Sequence, residues 1–171
     1  MTAPKNYQYL LDRITITDLM YRYCRSVDRL DRELGYSIWN PGAVADYGEF
    51  YQGDGPGVID LICAQHQHLL MHTHQMSNIL LEIDGDSACS ESYVTATLRL
   101  EKDNQPMQML VWSRYVDTWS RLDGRWGLDK RIAIRDLDEI RPVTPMSQGF
   151  GGTRDTNDPS YTAISLKRSA D

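Results

Sequence analysis

Two hydrophobic rhythms divide the chain. Apolar positions recur every three to four residues from Thr15 to about Leu34, and every second residue from His72 to Leu137. The first rhythm predicts a helix, with Asp18 three residues after Thr15 at its positive end and Gly35 at its stop. A short helix over 7–14 (YQYLLDRI) precedes it, and Tyr36–Asn40 makes a turn closed by Pro41-Gly42. Ala43–Gly48 alternates as a brief strand, and the turn cluster 52–57 (QGDGPG) feeds a second amphipathic helix from Val58 to about Leu70. The second rhythm predicts four long strands, His72–Ile83, Ser87–Glu101, Met107–Arg121 and Arg125–Leu137. They are separated by the turns Asp84-Gly-Asp86, Lys102–Pro106 and Asp123-Gly124. Helices first and long antiparallel strands after predict an α+β domain over 1–141, its N-terminal helices packed on a curved sheet. Residues 142–171, rich in Gly, Pro, Asn and Asp, are expected to be an irregular tail that covers a pocket mouth or wraps a neighbour.

One helical position breaks its pattern. Met20, Cys24 and Asp28 share a stripe with Tyr23 and Val27, which places a carboxylate on the apolar side. On the first long strand His72, His74, Met76, Asn78 and Leu80 fall on one face by alternation. A strongly curved sheet over helices makes a cone whose open end is a natural pocket, and Asp28 and His74 can both reach it. A carboxylate bonded to an imidazole fixes its tautomer and frees the other nitrogen to take a proton. Tyr23 adds a phenol, and Arg131 on the last strand can stabilise a developing oxyanion. Plainer readings stand beside these. Asp28 suits a cap or a salt bridge, His72 suits the pocket as well as His74, and His66 and His68 read as surface groups. Tyr23 suits the core, and Arg131 suits a pair with Asp129 or Asp117 on the outer face, with Lys130 or Arg135 taking its place in the site.

Charge and composition narrow the partners. The 171 residues make about one domain, and a net charge of −6 with no basic run argues against nucleic acid. No apolar run approaches the roughly 20 residues a membrane span needs, and the N-terminus lacks the apolar core of a secretory signal, so a cytoplasmic protein is expected. Cys24, Cys63 and Cys89 are isolated and read as free, buried or half-buried thiols. HExxH, GxGxxG, GxxxxGK[ST] and GxSxG are all missing, so an enzyme of this sequence is expected to work without metal or cofactor.

The pieces ITDLMYRYCRSVDRLD, NPGAVADYGEF, HTHQMSNILLEIDGDSACSESYV and SRYVDTWSRLDGRWGLDKR occur in that order. In this the chain resembles the SnoaL-like branch of the nuclear-transport-factor-2-like (NTF2-like) superfamily of cone-shaped α+β barrels, over about residues 8–140. That branch includes polyketide cyclases, scytalone dehydratase, the lindane dehydrochlorinase and the bile-acid dehydratase. The resemblance implies that Asp28 is the helix aspartate of the dehydratases and His74 the strand histidine. It implies that Tyr23 is an active-site tyrosine and Arg131 the late-strand arginine. It further implies a cofactor-free lyase acting by general acid/base chemistry on a small, apolar, hydroxylated aromatic or cyclic substrate. The outcome would be dehydration, or elimination with carbon–carbon cleavage that releases a small aldehyde such as formaldehyde, in the catabolism of aromatic compounds. Trp39, Met71, Met76, Asn78, Trp112 and Tyr115 are the expected pocket walls. A polyketide cyclase, and a non-catalytic module like the small subunit of ring-hydroxylating dioxygenases, are the alternatives. The module would pair Asp28 with an arginine and turn His74 outward. Association through the convex sheet face, with Trp112 or Trp119 exposed there, would give a homodimer or homotrimer.

Overall fold

A single helix, α1 (Tyr7–Arg29), stands where two were expected. Its buried stripe is Ile16, Met20, Tyr23, Cys24, Val27 and Asp28, an unbroken three-and-four spacing. Thr15 lies inside it and donates to the Leu11 carbonyl at 2.8 Å, while Asp18 pairs with Arg22 one turn on. The helix ends at Arg29, six residues before Gly35. Leu30 takes the left-handed conformation (φ 54°), and the Asp31 N–H reaches back to the Ser26 carbonyl at 2.8 Å. Packing of Leu30 against the core holds a conformation that glycine adopts more easily. Asp31 then caps α2 (Arg32–Tyr36) by accepting from the Leu34 N–H at 3.1 Å.

The structure, a computed structural model, describes residues 7–146, 149 and 151–164. After α2 come β1 (Trp39–Asp46), β2 (Gln52–Asp54) and α3 (Gly55–His66), the last capped by Asp54 with Pro56 in its first turn. The long strands are β3 (Met71–Asp84), β4 (Ser87–Lys102), β5 (Gln105–Leu122) and β6 (Arg125–Pro142). All six form one curved, unclosed sheet in the order β2-β1-β6-β5-β4-β3, antiparallel except where β1 runs parallel to β6. The described residues of the tail are irregular apart from α4 (Pro159–Ala163); residues 147, 148, 150 and 165–171 lie outside the described part. No helix among the described residues is long and apolar enough to cross a membrane.

Two kinds of irregularity decide which side chains face α1. On β3 one extra residue sits between Ser77, opposite Tyr93, and Leu80, opposite Glu91. Asn78 occupies this bulge at φ 49°. His72, His74 and Met76 face inward before it, and Leu81 and Ile83 do so after it. Asn78 and Leu80 point to solvent, which corrects the single face read over 72–80. On β6 similar shifts follow the pairs at Trp112 and Thr118, so that Arg131 opposes Asp117 and Leu128 opposes Trp119 on the inner face. Lys130 and Arg135 are exposed.

The core lies between this inner face and α1 and α3, with Ile16, Met20, Val58, Ile59, Trp119, Trp126 and Leu128 at its centre. Trp119 is buried there rather than exposed on the convex face. Trp112, three residues before inward Tyr115, falls on that outer face and is half-buried. Cys24 and Cys63 are buried free thiols, whereas Cys89 is exposed, against expectation.

Candidate active site

The burial stripe of α1 carries Asp28 to within reach of β3. Because β3 is the outermost strand of the sheet, it has backbone groups that no further strand can pair. Asp28 takes one of them: Oδ2 accepts from the His74 backbone N–H at 3.0 Å, and Oδ1 accepts from His74 Nδ1 at 2.7 Å. Since an ionised carboxylate can only accept, the contact defines His74 as the Nδ1–H tautomer and leaves Nε2 with its lone pair. Both side chains are about nine-tenths buried. They stand at the wall of a cleft of about 270 Å³, completed by Tyr21, Cys24, Arg25, Arg29 and Met76.

Two further imidazoles back this pair. His66, expected at the surface, is half-buried at the end of α3, its ring stacked on His74 (5.7 Å, 18°) and edge-on to His72 (4.5 Å). Burial, then the neighbouring His72 and His74, hold His66 down to about 3. His72 is buried and donates from Nε2 to the Val27 carbonyl at 2.8 Å, which commits it to the end of α1. Burial lowers it too, opposed by that carbonyl and by Asp28.

Tyr23 and Arg131 meet one layer behind. Arg131 is fully buried and forks onto Asp117 through Nε and Nη2 at 2.8 and 2.7 Å. Its guanidinium lies 4.2 Å from the Tyr23 ring centroid and 4.0 Å from that of Tyr115. The pairing with Asp117 was one of the alternatives read above, but it lies inside the cone rather than on its outer face. Burial pushes Asp117 up against the pull of Arg131, yet the bidentate geometry and an arginine that cannot deprotonate keep the pair charged. The Tyr23 hydroxyl meets the Tyr47 hydroxyl at 2.7 Å, and burial raises both phenols far enough to stay neutral.

The four expected catalytic residues thus form two contacts, Asp28 with His74 and Tyr23 with Arg131, with Cys24 between them. Of the expected walls Met76 lines the cleft. Tyr115 and Trp39 pack around Arg131, Asn78 is turned out by the bulge, and Trp112 is on the outer face. Met71 lies on the face opposite His72. Tyr47, Arg25 and Arg29 were not singled out from the sequence. Arg25 carried a usable signal, since it lies three residues before Asp28 and so neighbours it on the helix surface.

A SnoaL-like domain model matches residues 8–132. The chain belongs to the SnoaL-like family. LinA is similar in structure, at 22% identity over 82% of this chain and 95% of that one, with a TM-score of 0.70. Hexachlorocyclohexane dehydrochlorinase LinA-type3 from Novosphingobium barchaimii LL02 is 21% identical over 81% and 94%, TM-score 0.68. The Kfla4162 protein from Kribbella flavida is 18% identical over 77% and 95%, TM-score 0.69. A search of curated proteins gave no significant match. These likenesses establish a SnoaL-like fold; the chemistry rests on the side chains described above.

Proposed function

We propose that this SnoaL-like chain is a cofactor-independent lyase in which His74, anchored by Asp28, starts an elimination from a small hydroxylated, ring-bearing substrate. The observation that carries this is the pair of hydrogen bonds that Asp28 accepts from the ring and the backbone of His74 at the wall of an open cleft. His74 Nε2 takes the proton from carbon, the electron pair of that C–H bond becomes a C=C bond, and the neighbouring C–O bond breaks. The proton on Nε2 then passes to the departing oxygen, so water leaves and the enzyme is restored. Arg131, neutralised by Asp117 and enclosed by Tyr23 and Tyr115, fixes the wall behind the dyad rather than lending a charge to that oxygen.

The module reading required Asp28 on an arginine side chain and His74 outside. Arg29 instead reaches only the Asp28 backbone carbonyl, at 3.5 Å, while the carboxylate is spent on His74. The test is turnover of a panel of 1-aryl-propanediols and related aryl alcohols, neutral and ring-carboxylated, followed by alkene absorbance, with formaldehyde assayed in parallel. The wild-type chain is expected to release alkene, and Asp28→Asn to lose about 10²–10⁴-fold in kcat, the range of general acid/base catalysis. Asp28→Asn turning over at the wild-type rate overturns the reading. Formaldehyde equimolar with alkene would assign carbon–carbon cleavage, and its absence dehydration.

A further inference from the structure

Three arginines in this molecule show what their guanidinium edge is for, and one of them lies in the cleft. Arg131 and Arg114 each present Nε and Nη2 side by side to a carboxylate, Asp117 at 2.8 and 2.7 Å and Asp136 at 2.8 and 3.0 Å. Arg25 spends one donor, Nη1, on Ser160 Oγ at 3.0 Å, and lies 4.8 Å from the Tyr161 ring centroid. Its Nε and Nη2, the same edge, are buried and have no hydrogen-bond partner among the described residues. Buried donors without acceptors carry a free-energy penalty that a carboxylate would relieve with two bonds.

The charges around the cleft pair off and leave this edge over. Asp28 is committed to His74. Asp158 lies 3.6 Å from Arg29. The Asp158 carboxyl, held down to about 2 by the Ser160 hydroxyl and N–H, remains an anion. No carboxylate among the described residues forms an ion pair with Arg25.

We propose that Arg25, by turning its buried Nε–Nη2 edge into the cleft it lines, binds a carboxylate of the substrate, so that the cleft takes hydroxylated aromatic acids rather than neutral aryl alcohols. Arg25 precedes Asp28 by three residues, which sets the carboxylate about one helical turn, roughly 5 Å, from the dyad. A substrate that spans this distance places its acid on Arg25 and its reacting carbon at His74. Met76 packs against the ring between them, and Arg29, half-neutralised by Asp158, adds a weaker second charge. This rests on the cleft being the active site.

The test is calorimetric titration of the full chain with benzoate and with benzyl alcohol at pH 7 and low salt. Benzoate is expected to bind at least ~10-fold more tightly, a usual margin for a charge-assisted fork. In Arg25→Gln that ratio falls to near one. Arg25→Lys, which keeps the charge without the fork, retains an intermediate ratio, and it also serves if Arg25→Gln melts early. Equal affinities for the two probes in the wild type, or a preference that survives Arg25→Gln, overturn the proposal. The Asp28→Asn turnover assay fails or succeeds separately. Benzoate preference in a chain whose turnover ignores Asp28 would leave an acid-binding cleft and remove the lyase reading.

Discussion

Asp28 holds His74 by two different groups, its ring Nδ1 at 2.7 Å and its backbone N–H at 3.0 Å. The second bond matters as much as the first. A ring-only contact lets the imidazole pivot with its strand, whereas the bond to the backbone clamps the strand itself to the helix that supplies the carboxylate. Two substitutions separate these roles. Asp28→Asn keeps the size and one acceptor, so it should fold with a loss below about 1.5 kcal/mol, the scale of one net hydrogen bond. Asp28→Ala leaves two buried donors on His74 without an acceptor, and should cost about 2–4 kcal/mol in urea unfolding. Equal stability of the two variants would mean that the clamp contributes nothing.

The buried Arg131–Asp117 pair makes a second, independent prediction. Removing one partner strands a charge that is fully buried among Tyr23, Tyr115 and Trp39. Asp117→Asn or Arg131→Met should each destabilise by about 3–5 kcal/mol, while Arg131→Met combined with Asp117→Leu should recover much of that loss. Chemical denaturation of the three variants checks it, and additive losses in the double variant contradict it.

Stability should fall in mild acid for a reason the histidines supply. His66 is held down to about 3 in the folded chain, against 6.5 for an unperturbed imidazole, and His72 is also lowered. The unfolded chain therefore binds more protons across this window. The stability these neutral rings provide is complete above about pH 7 and is lost as pH falls below 6.5. Each group adds a slope approaching 1.4 kcal/mol per pH unit once it is charged only when unfolded. Urea midpoints at pH 7.5 and 5.5 should differ clearly in the wild type and less in His66→Gln, which removes one of the two groups. An unchanged difference in His66→Gln would show that His66 is not the titrating group.

What the chain reveals by inspection follows from how local each signal is. The long strands were legible because their turns carry the required chemistry: Asp123-Gly124 and Asp103-Asn104 both adopt positive φ, as tight hairpins demand. Asp28 and His74 were legible because each is a polar residue on a face otherwise meant for the core. The end of α1 was not, because tertiary packing holds Leu30, a residue with no preference for the left-handed region, in it. The inward face of β6 was not fixed either, since each bulge reverses the alternation and one residue decides whether Arg131 or Lys130 enters the cone. Arg25 was missed because its partners, Ser160 and Tyr161, come from a tail with no periodicity to read.

The bulge at Asn78 shows how much depends on a single inserted residue. Before it, even-numbered side chains of β3 face α1 and place His74 on Asp28. After it, odd-numbered ones do, and Leu81 and Ile83 are 6% and 8% exposed. Asn78→Gly should be nearly neutral, because glycine adopts φ 49° freely. Asn78→Val should cost about 1–2 kcal/mol, the penalty of the left-handed region for an ordinary side chain, with some more for β-branching. Deleting Asn78 is the sharper test. The remaining residues then alternate without interruption, so His72, His74 and Met76 share the α1 face with Ile79, Leu81 and Ile83, and the pairing with β4 is otherwise unchanged. The deletion should therefore fold and keep His74 on Asp28, at the cost only of the local bend that the extra residue gives the strand, within the roughly 0.5–3 kcal/mol of an ordinary substitution. A deletion variant that failed to fold, or that lost the Asp28–His74 contact, would show that the bend itself, and not the alternation alone, lays the two halves of β3 on α1.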